Sequence, residues 1–158
     1  MEIKCFFNRI LILIRGAPGS GKHFLASLIY EKEKEMGNDR CQIASINKYI
    51  TNEYNFIEAE EYNNKLFMEV RELILAGYMN FIIVVLNGCT IKQFNRIAHL
   101  GTSIGHFECF SIEIHQKQEV CMRYNDNKRN AIDISNANED LNRYPTPFKT
   151  TVLDPISL

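Results

Sequence analysis

Seven consecutive residues, Gly16-Ala17-Pro18-Gly19-Ser20-Gly21-Lys22, fit the spacing G-x-x-x-x-G-K. The spacing has a physical purpose. Glycine reaches backbone angles closed to other residues, so successive N–H groups can turn inward and form an anion-sized nest. A helix starting at the lysine adds the positive end of its dipole. The lysine itself sets a cation on the outer phosphates of a nucleotide. One position breaks the pattern. The residue after the lysine is ordinarily Ser or Thr, whose hydroxyl serves Mg²⁺, and here it is His23. Mg²⁺ prefers oxygen ligands in octahedral geometry, whereas imidazole suits zinc or copper. His23 therefore removes a magnesium ligand. Protonated, it can lend phosphate a second cation; otherwise it is a surface histidine of the helix.

Such a loop works only between a buried strand and a helix, and the flanking sequence supplies both. "RILILIR", residues 9–15, is a continuous apolar run, the mark of a strand covered on both faces. "KHFLASLIYEKEKEMG" places Phe24, Leu25, Leu28 and Ile29 at helical spacing and ends at Gly37. "CQIASI", 41–46, predicts a second strand. In "EAEEYNNKLFMEVRELILAG", Tyr62, Leu66, Val70, Leu73 and Ile74 form a helical stripe closed by Gly77. "NFIIVVL", 80–86, predicts a third strand, and "TIKQFNRIAHLG" a short helix from Thr90 as N-cap to Gly101. "HFECFSIEI", 106–114, predicts a strand and "HQKQEVCMRY" a helix. "NDNKRNAID" reads as a polar loop or lid, "ISNANEDLNRY" as a last helix and "FKTTVLD" as a final strand. Strand and helix in this alternation predict an α/β domain with a parallel sheet of about five strands and helices on both faces.

The bulk numbers agree with one domain over 1–158. The chain has 158 residues, 46% hydrophobic and 23% charged, with a formal net charge of −1. That balance gives no global field for nucleic acid or a membrane surface. The five cysteines (Cys5, Cys41, Cys89, Cys109, Cys121) contain no C-x-x-C pair, which argues against a disulfide framework or zinc site. His23, His99, His106 and His115 lack metal-ligand spacing, so no metal site is assigned. Glu58, Glu60 and Glu61 read as an acidic helix start, favoured by the macrodipole, before they read as acid–base machinery. The apolar "CFF" at 5–7 either covers a sheet edge or docks a partner. No apolar run has spanning length and no leader pattern opens the chain, so the expectation is an intracellular protein, nuclear or cytoplasmic, with no membrane contact.

The ordered set of stretches resembles the C-terminal kinase-like domain of YLP-motif-containing proteins, of the polynucleotide-kinase-like branch of P-loop kinases. The resemblance rests on "LILIRGAPGSGKHFLASLIYEKEKEMG", "EEY" with Phe67, "GYMNFII", the spacing of Cys121, Asn125 and Arg129, and the closing "VLD" and "SL". It covers nearly the whole chain. It implies a three-layer P-loop NTPase fold of the kinase type, carrying a Walker A loop and a small lid. Active relatives move the γ-phosphate of ATP to a hydroxyl, often a nucleic-acid 5′ end.

Measured against that pattern, three functions are missing together. Where the family shows an "L-D-D-Y-F"-like stretch, this chain has Ile46-Asn47-Lys48-Tyr49-Ile50, and Asn47 cannot act as a carboxylate base. Where the family carries an Asp for magnesium at the end of the third strand, Val85 stands. The third loss is the hydroxyl at His23. The lid pattern "R-N-x-H-x-R" becomes Tyr124-Asn125-Asp126-Asn127-Lys128-Arg129, leaving Arg123, Lys128 and Arg129 as lid cations.

The sequence thus predicts nucleotide or phosphate contacts from Gly16, Ala17, Pro18, Gly19, Ser20, Gly21, Lys22 and His23. It assigns no catalytic residue. ATP or GTP is the nucleotide the loop would take, with Mg²⁺ binding impaired. The expected function is a degenerate kinase-like domain, a pseudokinase, that serves as a protein-interaction or scaffolding module in a nuclear or RNA-linked complex. Its partners are proteins, with RNA entering through the resemblance alone, and oligomeric state is not addressed. Two alternatives stand beside it: an ATP-dependent polynucleotide or nucleoside kinase, and a module that binds nucleotide without hydrolysis. A carboxylate at Glu113, Asp126 or Asp154 within metal-bridging reach of Lys22 would favour the kinase.

Overall fold

The computed structural model describes residues 9–50, 58–86, 91–123 and 149–153. In chain order these form β1 (Ile10–Gly16), α1 (Lys22–Glu35), β2 (Cys41–Ser45), a 3₁₀ turn (Ile46–Lys48), α2 (Ala59–Ala76) and β3 (Phe81–Val85). There follow α3 (Ile91–His99), a π turn (Leu100–Ile104), β4 (Glu108–Ile114), α4 (Gln118–Arg123) and β5 (Lys149–Leu153). The strands make one sheet in the order β2-β3-β1-β4-β5, with every neighbouring pair parallel. This is the expected α/β architecture.

β1 lies at the centre between β3 and β4, which explains its unbroken apolar run. Its alternate side chains serve two cores. Leu11 and Leu13 join Ala44, Ile82 and Val84 under α2 and α3. Ile14 joins Ile83 and Val85 under α1. β3 is buried along its whole length.

The helices largely follow their stripes. α2 buries Tyr62, Leu66, Val70 and Ile74, half-buries Leu73 and ends at Gly77 in the left-handed conformation, φ 74°. α1 departs from expectation. Ala26 is its buried residue, and Leu25, Ile29 and Tyr30 pack beside it. Phe24 and Leu28 are 68% and 53% exposed. Each stands two positions from Ala26, about 200° around the helix, and so faces away from the sheet. The small side chain of Ala26 lets the helix axis approach the sheet.

The helix expected to end at Gly101 stops instead at His99 and continues as the π turn. The hydroxyl of Thr102 donates to the carbonyl of Ala98 at 3.0 Å, satisfying a group the regular ladder releases. Gly101 is required here because a Cβ would strike the Leu11 side chain, so the turn lies directly on β1. The expected Thr90 cap, the lid over 125–133 and the last helix near 134–144 lie outside the described residues. Among the described residues, no helix is long and apolar enough to cross a membrane.

Candidate functional site

The C-terminal ends of β1, β2, β3 and β4 point to one edge of the sheet, and the glycine-rich loop leaves β1 there. The loop is shaped by its own residues. The N–H of Ser20 donates to the Ala17 carbonyl at 3.0 Å, closing a turn with Pro18 and Gly19 at its corners. Proline suits the first corner, and the second needs positive φ, supplied by Gly19 at 79°. Gly21, φ 101°, then takes the N-cap position of α1, and no side chain caps the helix. The first-turn N–H groups therefore have no intrahelical acceptor and no side-chain cap.

Gly16 is small for a reason of contact. A Cβ there would lie 2.5 Å from Ser20 Oγ and 3.3 Å from the Ile114 carbonyl. Ser20 thus folds back over Gly16 and is 95% buried, since only 5% of it is exposed, and its hydroxyl has no partner among the described residues. A left-handed pair of glycines, an uncapped helix start and an unpartnered buried hydroxyl are what a phosphate anion fits.

Lys22 is half-buried, and its Nζ donates to the carbonyl of Leu86 just beyond β3 at 2.8 Å. Ala17 is wholly buried and positions the loop against the sheet. His23 is exposed on the first turn of α1. It belongs to the loop in sequence, but its neighbour Lys22 turns inward where it does not.

Among the described residues, the acidic partners that a magnesium site would need are not assembled. Val85, at the end of β3, is fully buried beneath α1 in register with Ile14 and Ser45. Asn47 is exposed in the 3₁₀ turn, where the Ser45 hydroxyl accepts its N–H at 3.2 Å. Lys48 reaches away to Glu69 at 3.5 Å, and the Tyr49 hydroxyl donates to the same carboxylate. Burial, with Glu69 and Glu72 adding to it, pushes the Tyr49 hydroxyl up to about 12. Between this turn and α2 runs an open groove of about 420 Å³, spanned by the Lys48–Glu69 pair, while Lys65 pairs with Glu61 along α2 itself.

Within the last two residues of β1 to β4, Glu113 is the one acid. It is committed. Its Oε1 accepts from Arg15 Nη1 at 2.9 Å, and its Oε2 lies 3.1 Å from His115 Nε2. Arg15 and Glu113 are register partners on β1 and β4, both buried, and the Arg15 guanidinium stands over the Phe94 ring at 5.7 Å. Among the described residues, the three positions weighed for Mg²⁺ carry an exposed imidazole, a buried valine and a carboxylate held by a guanidinium, and none is an uncommitted oxygen donor. No group of three or more His, Cys, Asp or Glu that could hold a metal ion occurs among the described residues.

Arg123 is exposed at the end of α4. Lys128, Arg129, Asp126 and Asp154 lie outside the described residues. Sequence reasoning did not foresee the Arg15–Glu113–His115 cluster, nor the buried Cys121 of α4, which lies within electrostatic reach of Lys22. Burial raises that thiol above its ordinary value while the Lys22 charge pulls it back.

No family model matches the chain. Its sequence is similar to YLP motif-containing protein 1 of Homo sapiens, 24% identical over 150 residues that take in 81% of this chain and 7% of the relative. The rat and mouse proteins of that name match at the same identity over 11% of their length. The chain therefore spans a small part of the curated relatives it matches. In fold it is similar to a putative kinase from Chloroflexus aurantiacus, with TM-score 0.65 and 15% identity over 95% of this chain and 87% of that one. It is likewise similar to the Pnkp1/Rnl/Hen1 RNA repair complex, with TM-score 0.67 and 14% identity over 90% of this chain and 47% of that one. The fold is that of the P-loop kinases.

Proposed function

We propose that this chain is a catalytically degenerate P-loop kinase-like domain that serves as a protein-interaction module in a nuclear or RNA-linked complex. One observation carries the degeneracy: Glu113, the acid at the strand ends, is neutralised by Arg15 and shared with His115. Phosphoryl transfer rests on positioning plus charge neutralisation, and it needs a metal cluster and an oriented acceptor. Val85 and Asn47 supply neither. Loss of such groups costs roughly 10²–10⁴ in rate each, which leaves little turnover. The RNA link rests on the family resemblance, with the RNA repair complex among the structural neighbours beside it.

A second reading has its own support. The nest at Gly19–Lys22 and the unpartnered Ser20 hydroxyl favour a module that holds a polyphosphate without turning it over. The two readings are compatible, because a bound anion can order the loop of an interaction domain.

The test is transfer of label from γ-labelled ATP to 5′-hydroxyl RNA, 5′-hydroxyl DNA and free nucleosides. The expected transfer does not exceed that of the Lys22→Ala variant. Transfer well above the variant would restore the polynucleotide or nucleoside kinase reading.

A further inference from the structure

At the edge of the sheet opposite the phosphate loop, two arginines converge on one carbonyl. Arg9 donates to the Gly77 oxygen at 3.0 Å and to the Gly105 oxygen at 2.8 Å, and it stacks over Phe107 at 4.9 Å. Arg40 reaches the same Gly77 oxygen at 3.5 Å, donates to the Tyr78 carbonyl and stacks over the Tyr78 ring at 5.2 Å. Neither guanidinium has a carboxylate partner among the described residues. The α2 C-terminus offers about half a negative charge against two full positive ones, so positive charge is left over.

Exposed apolar side chains surround this pair. Leu75 and Tyr78 flank Gly77, and Ile104 precedes Gly105, whose added Cβ would meet Ile74 of α2. Met36 lies just before Asn38, whose Oδ1 accepts the Arg40 N–H at 3.0 Å. Arg71, exposed one turn before Leu75 on α2, extends the positive side. Among the described residues, carboxylates also border the patch: Asp39, which faces Lys34 at 3.8 Å, Glu33, whose Oε2 accepts from Asn38 Nδ2 at 2.9 Å, and the exposed Glu72 and Glu108. Arginine, tyrosine and methionine are the residues enriched at interface centres.

We infer that this edge is the docking surface for an acidic amphipathic peptide segment of a partner protein, with apolar side chains on Leu75, Tyr78 and Ile104 and carboxylates on Arg9 and Arg40. The inference rests on the protein-interaction reading and gives it a location. Carboxylates meeting cations that already sit together gain charge-assisted contacts without an ordering cost for the arginines.

The probe is a dye-labelled synthetic peptide of Glu, Leu and Phe with helical spacing, followed by fluorescence anisotropy against a counterpart carrying Lys for Glu. The full chain should bind the acidic peptide about tenfold or more tightly than the basic one. Leu75→Ser with Tyr78→Ser, both exposed positions, should weaken binding about tenfold while lowering the thermal midpoint by only about a few degrees, the loss of the Arg40–Tyr78 stack included. Arg71→Glu should weaken it less, and Lys22→Ala not at all. Equal affinity for both peptides, or binding indifferent to the double variant, overturns the inference. Self-association that the double variant abolishes also overturns it, by assigning the edge to a second copy. Affinity capture separates the two levels. Partners retained by wild type and double variant alike overturn the location only, whereas no reproducible partner of the wild type overturns the interaction reading as well.

Discussion

The amine of Lys22 donates to the carbonyl of Leu86 at 2.8 Å, tying the first residue of α1 to the chain just past β3, 64 positions away. The phosphate-loop cation is thereby held over the end of the strand whose last residue is Val85. The ammonium carries three N–H donors, so a phosphate entering the nest can share it with that carbonyl. Lys22→Met should lower unfolding free energy by about 1 kcal/mol in a denaturant titration, the worth of one such bond. The same variant should abolish heat of binding for inorganic tripolyphosphate in calorimetry. Undiminished tripolyphosphate binding would remove the lysine from the anion site.

The Arg15–Glu113 pair behaves as a buried unit. Glu113→Gln leaves a fully buried guanidinium facing a neutral amide, and about 3–5 kcal/mol of stability should be lost. The double change Arg15→Met with Glu113→Leu removes both charges and should recover most of that loss. Denaturant unfolding of Arg15→Met, of Glu113→Leu and of the double completes the cycle. Additive losses would show that the two side chains do not act together.

Gly16→Ala places a methyl 2.5 Å from Ser20 Oγ. The hydroxyl can swing aside, but the Ile114 carbonyl at 3.3 Å gives less readily. The substitution should lower the midpoint of thermal unfolding and weaken tripolyphosphate binding together. Adding Ser20→Ala should return part of the stability and none of the binding. A Gly16→Ala protein with unaltered binding would contradict a role for this contact in shaping the nest.

Three thiols report on burial. Desolvation holds Cys109 up at about 11, and burial with the Glu33 charge holds Cys41 there as well. An unfolded thiol ionises near 9.0, so the unfolded state sheds these protons first as pH rises. Stability from this source is intact below about pH 9 and falls as pH climbs through about 11. Iodoacetamide at pH 8 should modify Cys41, Cys109 and Cys121 far more slowly in the native protein than in denaturant, read by peptide mass spectrometry. Native-state rates equal to denatured rates would contradict their burial.

The sheet was legible because β1 and β3 carry unbroken apolar runs, and α2 because its stripe is bounded by Gly77. α1 was only partly legible. Its apolar residues wrap around more than one face, and the pattern alone does not reveal that the small Ala26, rather than Phe24, sets the contact. Within the site, the glycines and Lys22 could be read from spacing. The fate of Glu113 could not, because its pairing with Arg15 depends on β1 lying next to β4, nearly a hundred residues on. Two charges at the ends of apolar strands were the available signal. The cluster at Arg9, Arg40 and Gly77 is likewise made by three segments distant in sequence.

The central claim is that the loop retains an anion nest while the magnesium and acceptor functions are gone. Calorimetric titration with ATP, in Mg²⁺ and in excess chelator, tests it most directly. Equal affinity under the two conditions, lost in Lys22→Met, is the predicted result. Binding that tightens about tenfold or more with Mg²⁺ would contradict the account and point to acids that Val85, Asn47 and Glu113 do not supply.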